Sequence, residues 1–201
     1  MRPVPGIPRK PLRIGSGVLR GRRLATPGAS RPPLALLRKS LFDILAPRLP
    51  GARILDVYAG SGSLGLESVS RGAARVDFVE ESGEACRILA DNVARTGLAG
   101  TAAASCPASC RVICREALVG MRELEKAEVM YDVVFLDPPF ADERDGELLS
   151  AASRLVEPGG VVILRIPARR TLPPVRDALR LIRHNRYGAS LVGVYAREEG
   201  S

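Results

Sequence analysis

Two short runs carry the residue types best suited to chemistry. Asp137-Pro138-Pro139-Phe140 follows the apolar run Val133 to Leu136, and Asp56-Val57-Tyr58-Ala59-Gly60-Ser61-Gly62 follows Arg53-Ile54-Leu55. Two consecutive prolines fix the backbone and remove N–H groups, so the carbonyl of Pro138 can face a ligand as an acceptor. That carbonyl, the Asp137 carboxylate and the face of Phe140 together suit a planar amine. An exocyclic base nitrogen is a poor nucleophile because its lone pair is delocalised. Acceptors for its two hydrogens favour pyramidalisation, while a stacked phenyl ring aligns the base for in-line attack on a methyl group. On this reading Asp137, Pro138 and Phe140 are catalytic. The plainer alternative is a strand-ending turn, which Asp-Pro-Pro would also serve.

Glycines between a strand and a helix let the backbone approach a ligand, and the helix N-terminus offers unpaired N–H donors. Gly60-x-Gly62-x-x-Gly65, with Glu80 twenty residues after Gly60, also fits a dinucleotide fingerprint. That feature alone leaves an NAD(P) oxidoreductase open. Asp56 favours a different ligand: its carboxylate would crowd a pyrophosphate, whereas S-adenosyl-L-methionine has no phosphate and brings a cationic amino-acid end to the turn. The expected cofactor residues are therefore Asp56, Tyr58, Ala59, Gly60, Ser61 and Gly62, with Glu80 on the ribose hydroxyls. Glu116 and Ala117 are placed on the adenine, the carboxylate accepting from its amino group and a backbone N–H donating to the ring. As alternatives, Glu80 is a helix-start acid and Glu116 an exposed first-turn acid.

Positioning these groups requires alternating strands and helices. Arg53 to Val57, Val76 to Val79, Arg111 to Cys114, Val133 to Leu136 and Val161 to Leu164 are short, Val/Ile/Leu-rich runs. Leu64 to Arg71, Glu84 to Thr96, Leu118 to Glu125 and Glu147 to Leu155 between them have helical character. The alternation predicts an α/β fold: a doubly wound, mostly parallel sheet with its ligand site at the carboxyl ends of the strands. Two β-like runs about Tyr187-Gly188 predict a terminal antiparallel pair. With 46% hydrophobic residues but only 4% aromatic and no Trp, the core must be aliphatic, which suits a parallel sheet.

Residues 1–48 hold eleven Arg/Lys against one acid, Asp43, while the remainder holds nineteen basic and twenty-one acidic residues. A basic arm on a near-neutral body is the footprint of a polyanion binder, with a solubilising tail as the alternative. The arm reads as a Pro-rich, disordered start, a β-hairpin over Leu12 to Leu24 and a helix over Leu34 to Leu45. Arg13, Arg20, Arg22, Arg23, Arg31 and Arg38 are the candidate RNA contacts. Two units follow, a basic extension at 1–48 and a methyltransferase body at 49–201, and removing residues 1–24 is expected to spare the body's folding. No apolar run is long enough to span a membrane and no signal-peptide core is present, so a cytoplasmic location is expected. That location implies free thiols at Cys86, Cys106, Cys110 and Cys114. Cys106-x3-Cys110-x3-Cys114 lacks a CxxC pair and a nearby His, so no metal is expected; Cys110 and Cys114 should bracket a strand, with Cys106 in a lengthened loop.

DVYAGSGSLGLESVSRG from Asp56 to Gly72, then Val79-Glu80, DPPF, the N-terminal Arg20-Gly21-Arg22-Arg23-Leu24, Arg31-Pro32 and Arg38-x-x-Leu41-Phe42 together resemble the bacterial 16S rRNA guanine-N2 methyltransferase family. The likeness runs from about Arg13 to Arg197. It implies a Rossmann-like enzyme that uses S-adenosyl-L-methionine to methylate the 2-amino group of a guanine in 16S rRNA, within an assembling small ribosomal subunit; separately, a monomer is expected. Amino-methylation of adenine N6 or cytosine N4 uses the same tetrapeptide chemistry and remains the alternative. The chain departs from the family at Pro33 to Leu37, where polar residues are usual, at Lys39, where Glu is common, and at Glu116, where Asp is usual.

Overall fold

The computed structural model describes residues 11–27, 35–97 and 108–198. The Pro-rich start, Arg31, Cys106 and most of the loop before Cys110 lie outside them. Eight strands form one sheet in the order β3-β2-β1-β4-β5-β8-β7-β6. β1 (Arg53–Val57), β2 (Arg75–Glu80), β3 (Ser109–Cys114), β4 (Tyr131–Leu136) and β5 (Val156–Pro167) are parallel. β7 (Leu179–Tyr187) and β8 (Ser190–Arg197) form the hairpin expected about Tyr187-Gly188, and β8 pairs antiparallel to β5. The short β6 (Val175–Arg176) completes the edge.

Alternation along each strand decides which helices cover which face. Ile54, Val76, Phe78, Val133, Phe135, Val161 and Ile163 share a buried cluster with residues of α1 (Ala35–Leu45), α2 (Ser63–Ser70) and α3 (Gly83–Arg95). Their neighbours Leu55, Val57, Val79, Val134, Leu136, Val162 and Leu164 pack instead with α4 (Ala117–Lys126) and α5 (Asp145–Ser153). Both faces are covered, as a parallel sheet requires. Buried on β2, Asp77 is partnered by Arg75 and Arg111 at 2.9 Å and by the Tyr131 hydroxyl at 2.6 Å, so its charge is fully engaged.

The chain runs from β1 outward to β2 and β3, then returns to β4 on the other side of β1. The order thus reverses between β1 and β4, where the carboxyl ends of adjacent strands splay and ligands bind in such sheets.

Three findings revise expectations about the arm and the cysteines. The hairpin is closed by a single antiparallel bridge, Arg13 with Arg23, because glycine-rich turns occupy most of its length. Its Ile14, Leu19 and Leu24 are buried in the same cluster as Ile54 and Phe78, together with Leu37, Leu41 and Phe42 of α1, so truncation at residue 24 would open the core. The thiols are not all free: α3 and the end of β3 bring the Cα atoms of Cys86 and Cys114 within 6.1 Å, inside the range a disulfide spans, and the two are bonded. Cys110 lies within β3 and Cys114 ends it. Among the described residues no helix is long and apolar enough to cross a membrane.

Candidate active site

β1 delivers Asp56 to the switch point. Its side chain is buried and its Oδ2 accepts from the Gly65 N–H of α2 at 2.9 Å. Burial pushes this carboxyl up to about 8, against the Gly65 amide, and the nearby carboxylates of Asp137 and Glu80 add to the rise. After Val57 the backbone turns through three left-handed residues, Tyr58 at φ +62°, Gly60 at +54° and Gly62 at +76°. Gly62 starts α2; a Cβ there would lie 2.3 Å from Leu89 Cδ1, so the tight turn and the close helix contact both require glycine.

Glu80 at the end of β2 reaches across to this turn. Its Oε2 accepts from the Gly60 N–H at 2.8 Å and its Oε1 from the Ser82 N–H at 2.9 Å. A carboxylate has about four lone-pair sites, so two acceptor directions remain for a ligand. Ala59 is buried and its N–H bonds the Val79 carbonyl at 3.2 Å. Asn92 of α3 holds the Ser61 carbonyl at 2.9 Å and pairs with both the N–H and the carbonyl of Ala25 at 2.9 Å, tying the chain that leaves the hairpin to the glycine turn.

Glu116 caps α4, accepting from the Val119 N–H at 3.1 Å, and Ala117 is buried behind it. The other Glu116 oxygen meets Arg144 at 2.8 Å, and Arg144 also holds Asp142 at 2.8 Å. Burial opposes ionisation of Glu116, but Arg144 and the cap amide keep its carboxyl below the usual range. Arg144 likewise holds Asp142 well below it. Asp142 in turn accepts from the Tyr58 hydroxyl at 2.7 Å. Arg144 thereby ties the loop after Phe140 to the glycine turn and to the end of β3.

At the carboxyl end of β4, Asp137 forms an ion pair with Arg165 of β5, the two side chains being only 15% and 18% exposed. Burial raises the Asp137 carboxyl above the usual range, and the Arg165 guanidinium opposes that rise. The same guanidinium carbon lies 5.0 Å from the centre of the Phe140 ring. Pro138 between them is buried. Arg170 fixes the loop by donating to the Phe140 carbonyl at 2.7 Å and pairing with Asp145 at 2.7 Å. The structure thus gathers Asp137, Pro138 and Phe140 in one loop beside the glycine turn that carries Asp56 and Tyr58 to Gly62.

Sequence reasoning missed Arg165, Arg170 and Arg144. A lone Arg in the apolar run VVILRIP, at the carboxyl end of a strand, was the available signal for Arg165. Neither loop arginine had one.

Among the proposed RNA contacts, Arg13, Arg20, Arg22 and Arg23 are exposed, whereas Arg38 is half-buried. Arg13 donates to the Gly21 carbonyl at 2.7 Å, Arg22 to the Arg95 carbonyl at 2.6 Å and Arg38 to the Arg13 carbonyl at 2.6 Å. Arg38 therefore braces the hairpin against α1.

A doubly wound sheet extended by an antiparallel β8, with an Asp-Pro-Pro-Phe turn beside the glycine turn at its switch point, defines a Rossmann-like methyltransferase. The chain belongs to the family described as Conserved hypothetical protein 95, whose profile matches residues 12–196. It is 34% identical over 195 residues to the Ribosomal RNA small subunit methyltransferase D of Escherichia coli (strain K12), covering 93% of this chain and 90% of that one. Among solved structures it is similar to the hypothetical protein TTHA0928 of Thermus thermophilus, at TM-score 0.77 and 35% identity, covering 94% of this chain and 99% of that one. SMU.776, solved in complex with S-adenosylhomocysteine, shares the fold at TM-score 0.65 and 10% identity, covering 81% of this chain and 50% of that one.

Proposed function

We propose that the protein transfers a methyl group from S-adenosyl-L-methionine to the exocyclic 2-amino group of a guanine in 16S rRNA, within an assembling small ribosomal subunit. One observation carries the chemistry: the largely buried Asp137 carboxylate and the ring of Phe140 both lie against the Arg165 guanidinium, at the end of the strand that pairs with the one carrying Asp56. The likeness to a small-subunit rRNA methyltransferase supports the RNA. The residues fit the cofactor. A buried Asp56 that is reluctant to ionise gains a partner when a cationic amino-acid end reaches the turn, and Glu80 retains acceptor capacity for two ribose hydroxyls. The bound cofactor supplies an electrophilic methyl group on a positively charged sulfur.

The chain's own residues prepare the nucleophile. An ionised carboxylate only accepts, and guanine presents two parallel donors on one edge, N1–H and an N2–H. Adenine and cytosine place a ring acceptor beside their amino group, which a carboxylate repels. Asp137 accordingly takes the N1–H and one N2–H of guanine, the Pro138 carbonyl takes the second N2–H, and Phe140 stacks on the ring. As the new C–N bond forms, N2 must lose a proton. Asp137, whose burial raises its proton affinity, receives it.

Incubating the purified protein with labelled cofactor and small-subunit RNA, then digesting to nucleosides, should give N2-methylguanosine. N6-methyladenosine or N4-methylcytidine instead would assign the site to the alternative bases.

Glu80→Ala should weaken S-adenosylhomocysteine binding by roughly tenfold to a hundredfold in calorimetry, the worth of charge-assisted hydrogen bonds. Unchanged affinity would remove Glu80 from the ribose.

The exposed arginines of the hairpin are assigned to phosphates, which position RNA without choosing the base. Replacing Arg20 or Arg23 by Ala should lower the logarithmic salt dependence of RNA binding by about 0.7 to 0.9 for each phosphate no longer neutralised. An identical slope in both variants would leave these residues as surface charge.

A further inference from the structure

Leu136, the last residue of β4, lies opposite Leu164 of β5, so Asp137, just past the end of β4, comes beside Arg165, which is still within β5. The Arg165 guanidinium pairs with the Asp137 carboxylate, lies over the Phe140 ring with its carbon 5.0 Å from the centroid, and brings Nη1 within 3.4 Å of Ser190 Oγ on β8. A planar group of one carbon and three nitrogens therefore has its Nε–H donor on the carboxylate and lies against the phenyl ring. Those are the two contacts assigned above to the target base.

The N1–C2–N2 edge of guanine is itself a guanidine, flat and carrying parallel N–H donors. Resting on the guanine reading, we propose that Arg165 is a built-in placeholder whose guanidinium occupies the base subsite between Asp137 and Phe140 until the guanine edge displaces it.

Two consequences follow for the chemistry of the site. Before RNA arrives, the largely buried Asp137 has a cation beside it that opposes the rise in proton affinity caused by burial and so favours its acceptor form. When guanine enters, one guanidine replaces another, so the carboxylate is never left buried without donors, a state that is costly. Adenine or cytosine cannot make the same exchange. Either would break the Arg165 pair and present a ring acceptor to the carboxylate, so the displaced arginine adds to the discrimination among bases. The exchange also taxes RNA binding, because only the fraction of molecules with an open subsite is competent.

The competing role is a permanent one, with Arg165 holding Asp137 charged throughout turnover. The two roles separate in the pH dependence of Arg165→Ala, because kcat/KM reports ionisations of the free enzyme and kcat those of the loaded one. Asp56, which faces Asp137 from β1, is present in both proteins and cancels in the comparison. For a placeholder, the acid limb of kcat/KM should move to higher pH in the variant while the acid limb of kcat stays in place. Above that limb the KM for RNA should fall by roughly threefold to tenfold. Low-millimolar methylguanidinium should compete with RNA in the variant and not in the native protein.

The proposal is overturned if the kcat limb moves together with that of kcat/KM, or if methylguanidinium restores a lost kcat, since either places the guanidinium on Asp137 during turnover. It is equally overturned if neither limb moves and methylguanidinium has no effect. Affinity for S-adenosylhomocysteine reports folding. Should the alanine variant lose it, Arg165→Gln, which fills similar space without charge, is read in the same way. Failure of the guanine reading would show separately, as a different methylated nucleoside made by the native protein.

Discussion

Asp137→Ala should abolish methyl transfer while leaving affinity for S-adenosylhomocysteine within a small factor of native. The carboxylate is assigned to the base, and losing a positioned acceptor of this sort costs on the order of a hundredfold or more in rate. Single-turnover methylation of saturating RNA is the appropriate measurement, because it reads the chemical step apart from binding. Asp137→Asn sharpens the test: it keeps one acceptor oxygen but turns an NH2 toward guanine donors, so it should also fail on guanine. Both variants leave Arg165 without its anion in a largely buried position, so a thermal melt should accompany each to separate lost chemistry from lost folding. Near-native turnover in a folded Asp137→Ala protein would remove the carboxylate from the mechanism.

Removing residues 1–24 should prevent stable folding. Ile14, Leu19 and Leu24 are 1%, 5% and 5% exposed and belong to the cluster that covers one face of the sheet. At about 1.5 to 3 kcal/mol each, their burial amounts to roughly 5 to 9 kcal/mol, comparable with the whole stability of a typical domain. The loss also strips polar partners. Glu67, 1% exposed, accepts from the Gly15 N–H at 2.6 Å, and Ser70 Oγ accepts from the Leu19 N–H at 2.9 Å. Circular dichroism should show no cooperative transition, or one lowered by more than about 10 °C. Gly17→Ala makes the same point with one residue: at φ +79° its Cβ would lie 1.6 Å from the Ser70 carbonyl oxygen. A truncated protein that melts like the full chain would show that the hairpin only rests on the body.

The fold was legible wherever local pattern decides structure. The run RILDV reads as a strand and is one, and the break at Tyr187-Gly188 reads as a hairpin turn because a chain pairing antiparallel needs only a few residues to reverse. β5 proved longer than its apolar stretch, since it begins at Val156, paired with Tyr131, and runs through Pro158-Gly159-Gly160 across a register irregularity. The proline and glycines there look like a loop, because β4 pairs only with the residues on either side of them. β6, two residues beyond a pair of prolines, is too short for any periodicity.

The arm was misjudged for a related reason. Ile14, Leu19 and Leu24 are spaced five apart, matching neither a helix nor a strand, and glycine-rich turns rather than periodicity bring them to one side. In the site, the glycine turn and the tetrapeptide could be read because each is contiguous. Arg165 left only the signal of a lone charge in an apolar run, and its meeting with Asp137 could not be read, because that depends on the register between two strands separated by α5. The Cys86–Cys114 bond depends in the same way on how α3 packs beside β3.

The central claim is methylation of a guanine amino group in small-subunit rRNA, and mapping the modified nucleosides of that RNA tests it most directly. RNA from cells with the gene, without it, and without it but carrying the Asp137→Ala form should be compared. The expected result is one N2-methylguanosine present in the first, absent from the other two, and restored when purified native protein and S-adenosyl-L-methionine are added to particles from the deletion strain. Identical small-subunit RNA from all three strains would contradict the account.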